Sequence, residues 1–236
     1  MRILALECSS VSASVAVCED GKIIGSDFVR NGLTHSQTLM PMLERVVRDS
    51  GTDISSIDVF ACTSGPGSFT GVRIGVAAVK GLADALAKPC FAVSSLEAAA
   101  FPYRDSGKTV CAVMDARCNQ VYTASFYGSE RLCEDEAILI PELKERLLRA
   151  KNGVILTGDG TQLVYNALKD EIAGLTASDE NCRYADAKSV SIIAYERIMR
   201  GEPTVNSAEL LPLYLRVPQA QRELNKKNNL KGDSNI

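Results

Sequence analysis

Glu7 ends the apolar run that opens the chain, and Cys8, Ser9 and Ser10 fill the turn behind it. A carboxylate at that place could hold a metal ion or position a water. Further along, residues 64–75 read SGPGSFTGVRIG, a glycine-rich stretch that leads into an apolar run. Glycine loops that open helices often cradle phosphates, because their backbone N–H groups and the helix dipole favour anions. The amides of Thr70, Gly71 and Val72, with Arg73 beside them, form such a candidate. The known phosphate fingerprints are nevertheless missed. Walker A needs a lysine after its last glycine, whereas Val72 and Arg73 follow Gly71, and G-x-G-x-x-G would need glycine where Thr70 stands. A phosphate-binding hairpin would also prefer Asp followed by Gly to Glu7-Cys8-Ser9-Ser10. The cofactor-binding candidates are thus Glu7, Ser9, Thr70, Gly71 and Arg73, and no tightly bound cofactor is expected.

Other constellations are thinner. His35 is the single histidine, so a two-histidine zinc site or H-E-x-x-H cannot form. A Ser-His-Asp triad would have to use His35 as base, and no G-x-S-x-G elbow accompanies it. No metal site and no catalytic residue is expected. Asp115 and Arg117, in MDARCNQ, pair across a turn or meet a partner. TGDG, at 157–160, lies between a strand and a helix and could be a second backbone anion nest.

The elements that must position these residues begin with three strands, near Ile3–Leu6, Ser14–Cys18 and Lys22–Val29, the last two joined by the hairpin signal Asp20-Gly21. A helix from Thr34 to Ser50 follows, with Thr34 and Gln37 as a capping box and Pro41 as a kink or a later start. Next come a strand over 57–64, the glycine loop, a helix from Thr70 to about Ala87 and a strand at 89–94. After residues 101–108 the pattern partly repeats: two strands turning at Ala116–Asn119, a strand near Glu136–Ile140, a helix from Pro141 to Ala150, a strand before TGDG and two more helices. This order predicts an α/β fold of two similar lobes with mixed sheets flanked by helices: residues 1–103, residues 104–217, and a polar tail over 218–236 expected to be disordered.

The helix behind the glycine loop has an unusual face. Gly71, Gly75, Ala78, Gly81 and Ala85 recur at spacings of four and three. Glycine inside a helix costs about 1 kcal/mol against alanine, so the stripe needs a packing reason. That reason is either close approach to the chain's own sheet or an interface with another helix.

With 236 residues, 46% hydrophobic and 23% charged, the chain has the composition of a soluble globular protein. A net charge of −3 is not that of a protein that binds nucleic acid unaided. Eight cysteines without a C-x-x-C pair read as reduced thiols in a cytoplasmic protein, and no membrane span is expected.

Taken together, ILALECSSVSASVAV, HSQTLMPML, SGPGSFTGVRIG, MDARCNQVY, TGDG and LLPLYLR resemble the TsaB (YeaZ) family of bacterial tRNA threonylcarbamoyladenosine biosynthesis proteins, in order from Met1 to about Arg216. The resemblance implies an actin/Hsp70/sugar-kinase-like (RNase H-like) fold. It implies a non-catalytic partner of TsaD, with the ATPase TsaE completing the complex. That complex transfers a threonylcarbamoyl group to the adenosine beside the anticodon of ANN-decoding tRNAs. ATP would then be used through the partners, tRNA met only in the complex, and a homodimer formed when the chain is alone. The family's dimerisation surface maps onto His35, Leu39, Met42, Leu43 and Val46 of the first helix and Gly71, Val72, Gly75, Ala78, Val79 and Leu82 of the second. A stand-alone actin-like ATPase or kinase is the alternative. Glu7 stands where many relatives carry Asp.

Overall fold

The computed structural model describes residues 1–216; the expected tail over 218–236 lies outside the described residues. The chain opens with β1 (Arg2–Glu7), β2 (Ala13–Glu19) and β3 (Lys22–Val29). β1 and β2 are buried along nearly their whole length, whereas β3 alternates between exposed and half-buried residues. That difference follows from position. Continuous apolar strands lie where both faces of a sheet are covered, and β3 is the edge. Its turn is made by Asp20 and Gly21, both at positive φ, as a two-residue hairpin requires.

Helix α1 (His35–Asp49) follows and runs through Pro41 without a break. Thr34 sits at its N-cap, but the expected capping box does not form. The Thr34 hydroxyl donates to Gln37 Oε1 at 2.8 Å and caps no backbone N–H. β4 (Val59–Gly65), α2 (Phe69–Ala85), β5 (Cys90–Ser94) and a short α3 (Ser95–Ala100) complete the first half. The sheet runs β3-β2-β1-β4-β5, with β1, β4 and β5 parallel. α1 and α2 cover one face, burying Leu39, Met42, Val46, Val72, Val76 and Val79 against Leu4, Leu6 and Phe60.

The second half contains β6 (Thr109–Asp115), β7 (Gln120–Tyr127), β8 (Glu130–Arg131), β9 (Glu136–Leu139), α4 (Ile140–Leu147), β10 (Val154–Thr157), α5 (Thr161–Leu168) and β11 (Leu175–Ala177). Its sheet runs β11-β10-β6-β7, with β8 and β9 both antiparallel to β7. β6, β7, β9, β10 and β11 repeat the pairing of β1 to β5, so the repeat read in the sequence is a duplicated lobe.

The last helix, α6 (Ala187–Met199), departs from the expected division. It packs Val190, Ile193 and Ala194 on Ile3, Ala16 and Phe91 of the first sheet. α3 lies between the two sheets, placing Leu96 and Ala100 on Val110, Met114 and Phe126 of the second while Ala98 and Ala99 join the cluster on the first. Residues 187–199 therefore belong by packing to the first lobe. α3, β8 and β11 have no counterpart in the expected elements, each being too short to show a period. No helix among the described residues is long and apolar enough to cross a membrane.

Candidate functional site

The β1–β2 turn and the loop after β4 meet at the C-terminal edge of the first sheet, where open α/β folds bind ligands. Glu7 is fully buried there. Its Oε1 accepts from Ser9 N at 2.7 Å, Ser9 Oγ at 2.5 Å and, at 3.4 Å, Thr63 Oγ1. Its Oε2 has no hydrogen-bond partner among the described residues. Burial pushes the carboxyl up to about 7, opposed by the bonds from Ser9. Glu7 is thus half neutral near physiological pH.

The glycine loop answers its own chemical question. Ser68 N donates to Ser9 O at 2.6 Å, and Gly71 N donates to Ser68 Oγ at 3.2 Å. A Cβ at Gly71 would overlap the carbonyl oxygen of Cys8, and the Cys8 thiol donates to Gly71 O at 3.1 Å. The glycines serve to bring α2 and its loop against the first turn. Of the candidate amides, Gly71 N and Val72 N are spent on Ser68 Oγ and Ser68 O, and the neighbouring Ser9 and Ser68 amides on Glu7 and Ser9 O. Arg73 is likewise engaged: it lies 4.3 Å over the Phe69 ring and donates to the Tyr214 hydroxyl at 2.7 Å. Thr70 is exposed on the first turn of α2.

The second lobe repeats the arrangement. Gly160 N donates to Val113 O at 3.0 Å and Gly158 N to Arg183 O at 2.7 Å, so the TGDG segment packs on β6 with those amides occupied. Asp159 Oδ1 accepts from Asp115 N at 3.1 Å, and burial raises its carboxyl to about 6. Asp115 accepts from Arg117 N at 2.7 Å and pairs with its guanidinium at 3.3 Å, which is the turn-stabilising role. Arg117, Cys118 and Asn119 all lie at φ between 57° and 65°, a left-handed run that is costly for residues other than glycine.

Burial divides the residues of the expected partner surface. Leu39, Met42, Leu43, Val46, Val72 and Val79 fill the chain's own core, and Gly71 and Gly75 face Cys8. The sequence stripe had joined an inward row to an outward one. The outward row of α2 is Ala77, Gly81 and Ala85, with Ala78 and Leu82 half-buried beside it, and α1 adds exposed Met40 and half-buried His35. His35 Nε2 lies 2.9 Å from Ser10 O, tying α1 to the first turn.

Between the lobes lies a cavity of about 870 Å³, lined in part by Glu97, Arg104, Arg131, Glu196 and Arg197. Its charges pair with one another: Arg104 with Glu196 at 2.9 Å, Arg131 with Asp135 at 2.5 Å and Arg197 with Glu97 at 3.1 Å. Among the described residues, no group of three or more His, Cys, Asp or Glu is placed to hold a metal ion.

Two duplicated lobes, each a mixed sheet flanked by helices, form the actin-like, sugar-kinase fold. The structure of component A of (R)-2-hydroxyglutaryl-CoA dehydratase from Acidaminococcus fermentans shares that fold at 11% identity, with a TM-score of 0.51 over 84% of this chain and 99% of its own. The family model for TsaD, tRNA N6-adenosine threonylcarbamoyltransferase, matches residues 32–224. The Escherichia coli tRNA threonylcarbamoyladenosine biosynthesis protein TsaB is 34% identical over 95% of this chain and 98% of its own. YeaZ from Pseudomonas aeruginosa superposes with a TM-score of 0.76 at 30% identity, covering 91% of this chain and 99% of that one. The chain belongs to the TsaB (YeaZ) family, within the wider group that the TsaD model describes, and so has a role in tRNA threonylcarbamoyladenosine biosynthesis.

Sequence reasoning missed Thr63, Phe69, Tyr214 and Arg216. The signal was present in LLPLYLR, whose tyrosine and arginine stand apart from its leucines, but nothing local says where that segment docks.

Proposed function

We propose that this chain is the non-catalytic companion of a TsaD-type transferase subunit, required for threonylcarbamoyl transfer to tRNA. The observation that supports the reading most is the packing of the first turn: Ser9 N points to Glu7 and Ser68 N to Ser9 O, so these two backbone amides are not free for an anion. The outward faces of α1 and α2, with Met40, Ala77, Gly81 and Ala85, are the proposed surface for TsaD and, when the chain is alone, for a second copy. Small residues there let another helix approach closely. A TsaE-type ATPase would consume the ATP, and tRNA would be met through the assembled cytoplasmic complex, in keeping with a net charge of −3.

Co-purification with TsaD, followed by transfer assays with TsaE, tRNA and ATP, tests this. Transfer should require the chain, and the chain alone should hydrolyse no ATP. Robust hydrolysis by the pure chain, abolished in Glu7→Gln, would support the stand-alone ATPase instead.

A further inference from the structure

After α6 the chain does not stop on its own lobe. Val205 bridges to Cys90 at the edge of the first sheet, and Leu210 is buried in the first core, its carbonyl accepting from Lys80 Nζ at 3.1 Å. From there residues 211–216 leave the sheet and cross the glycine loop. Leu213 N donates to Ser64 O at 2.7 Å. Leu213 O lies so close to Gly65 that an added Cβ would be 2.6 Å away, and Gly65 has φ 123°. Tyr214 stacks on Phe69 at 4.2 Å with an interplanar angle of 12°, held from the side by Arg73. Two residues on, the Arg216 guanidinium reaches the second lobe, donating to the carbonyls of Ala116 and Arg117. Those carbonyls belong to the left-handed turn, whose strain the structure must hold in place.

We propose that residues 210–216 are a latch that fastens the glycine loop of the first lobe to the β6–β7 turn of the second and holds the lobes closed. One end is a core anchor, the middle an aromatic stack with a backbone hydrogen bond, the other end a single charged side chain. A device of this kind is released from its weakest end. Removing Arg216 breaks the cross-lobe contact while leaving the anchor and the stack intact. Because Leu213 abuts the glycine loop and that loop packs on Ser9, slack at Arg216 is felt at the first turn.

The test is hydrogen exchange on the full chain, read at residues 65–71 and 115–120, for wild type, Arg216→Ala and Tyr214→Ala. A hydrogen bond to a charged group contributes about 1.5 kcal/mol or more, so each variant should raise exchange roughly tenfold at both loops, with β1 and β6 unchanged. Three results overturn the latch. Both loops could stay within twofold of wild type; exchange could rise only at the loop whose own contact was removed; or it could rise throughout β1 and β6, which would make the segment ordinary core. Arg117→Ala, which loses only its pairing with Asp115, should raise exchange at 115–120 alone, and a rise at 65–71 would also overturn it.

Discussion

The two lobes pack a glycine loop onto a strand end in the same way and treat the carboxylate there differently. In the first lobe Glu7 ends β1 fully buried, one oxygen taken by Ser9 and the other without a partner among the described residues. In the second, Asp115 ends β6 exposed and paired with Arg117, and Asp159 of the glycine loop is the buried acid. The helices differ too: α1 and α2 have 15 and 17 residues, their counterparts α4 and α5 eight each. Duplication preserved the close approach of loop to turn, which packing demands. The lobes diverged in what lies around it, and only the first carries a long two-helix face turned outward.

The sharpest way to break this comparison is to fill the glycines. Gly71→Ala would overlap Cys8 O and Gly158→Ala would overlap Val113 O, so each should cost about 2–3 kcal/mol by overpacking. Gly158, at φ 98°, should cost more, by about 1 kcal/mol. Gly81→Ala, where an added Cβ meets nothing, should stabilise by about 0.5–1 kcal/mol. Urea unfolding of the three variants decides it, and equal costs at Gly71 and Gly81 would refute the inward–outward division.

Next in size is a pH effect. Glu7 holds its proton to about pH 7 when folded against an ordinary 4.5, and Asp159 to about 6 against 3.8. The native state therefore binds more protons across those windows, and stability falls as pH rises through them. For Glu7 the loss between pH 4.5 and 7 is about 3 kcal/mol. Glu7→Gln should flatten the stability profile between pH 5 and 7, and Asp159→Asn should flatten it mainly below 6. The slope is the readout, since the substituted glutamine would bring a buried amide of its own.

Leucine substitutions separate core from surface. Gly75→Leu meets Cys8 Sγ, already 3.0 Å from an added Cβ, and should lower the unfolding midpoint. Gly81→Leu should leave the midpoint no lower than wild type and weaken TsaD binding about tenfold, measured by calorimetric titration. The smallest expected effect concerns the caps. Ser68→Ala removes the acceptor for Gly71 N and should cost about 1 kcal/mol. Thr34→Ala removes no backbone cap and should cost less than about 0.5 kcal/mol.

Much of this was legible in the chain itself, and the limits have physical causes. Continuous apolar runs identified β1, β4 and β6, and the repeat of pattern after residue 108 announced the second lobe. Periodicity marked the apolar face of α1 through Leu39, Met42 and Val46, but periodicity finds the side that is buried, and that side serves the chain's own sheet. The residues it picks out on α1 are therefore those that face the sheet, while Met40 lies on the exposed side. Gly71 and Gly81 look alike in sequence; one is forced by Cys8 O and the other faces solvent, a distinction made only by a strand far away in the chain. The pairing of Tyr214 with Phe69 and of Arg216 with the 115–120 turn is likewise non-local.

The return of α6 to the first sheet, and the place of α3 between the two, also bear on how the chain is made. Ile3, Ala16 and Phe91 are covered by Val190, Ile193 and Ala194, residues that a ribosome adds some hundred positions after β5. A nascent chain carrying all five strands of the first sheet has one apolar face covered only in part, by Ala98 and Ala99 of α3, while Leu96 and Ala100 wait for β6 and β7. Neither half closes by itself, so the two should be acquired together in one late cooperative step, and cutting the chain near residue 103 should yield two sticky fragments in place of two domains.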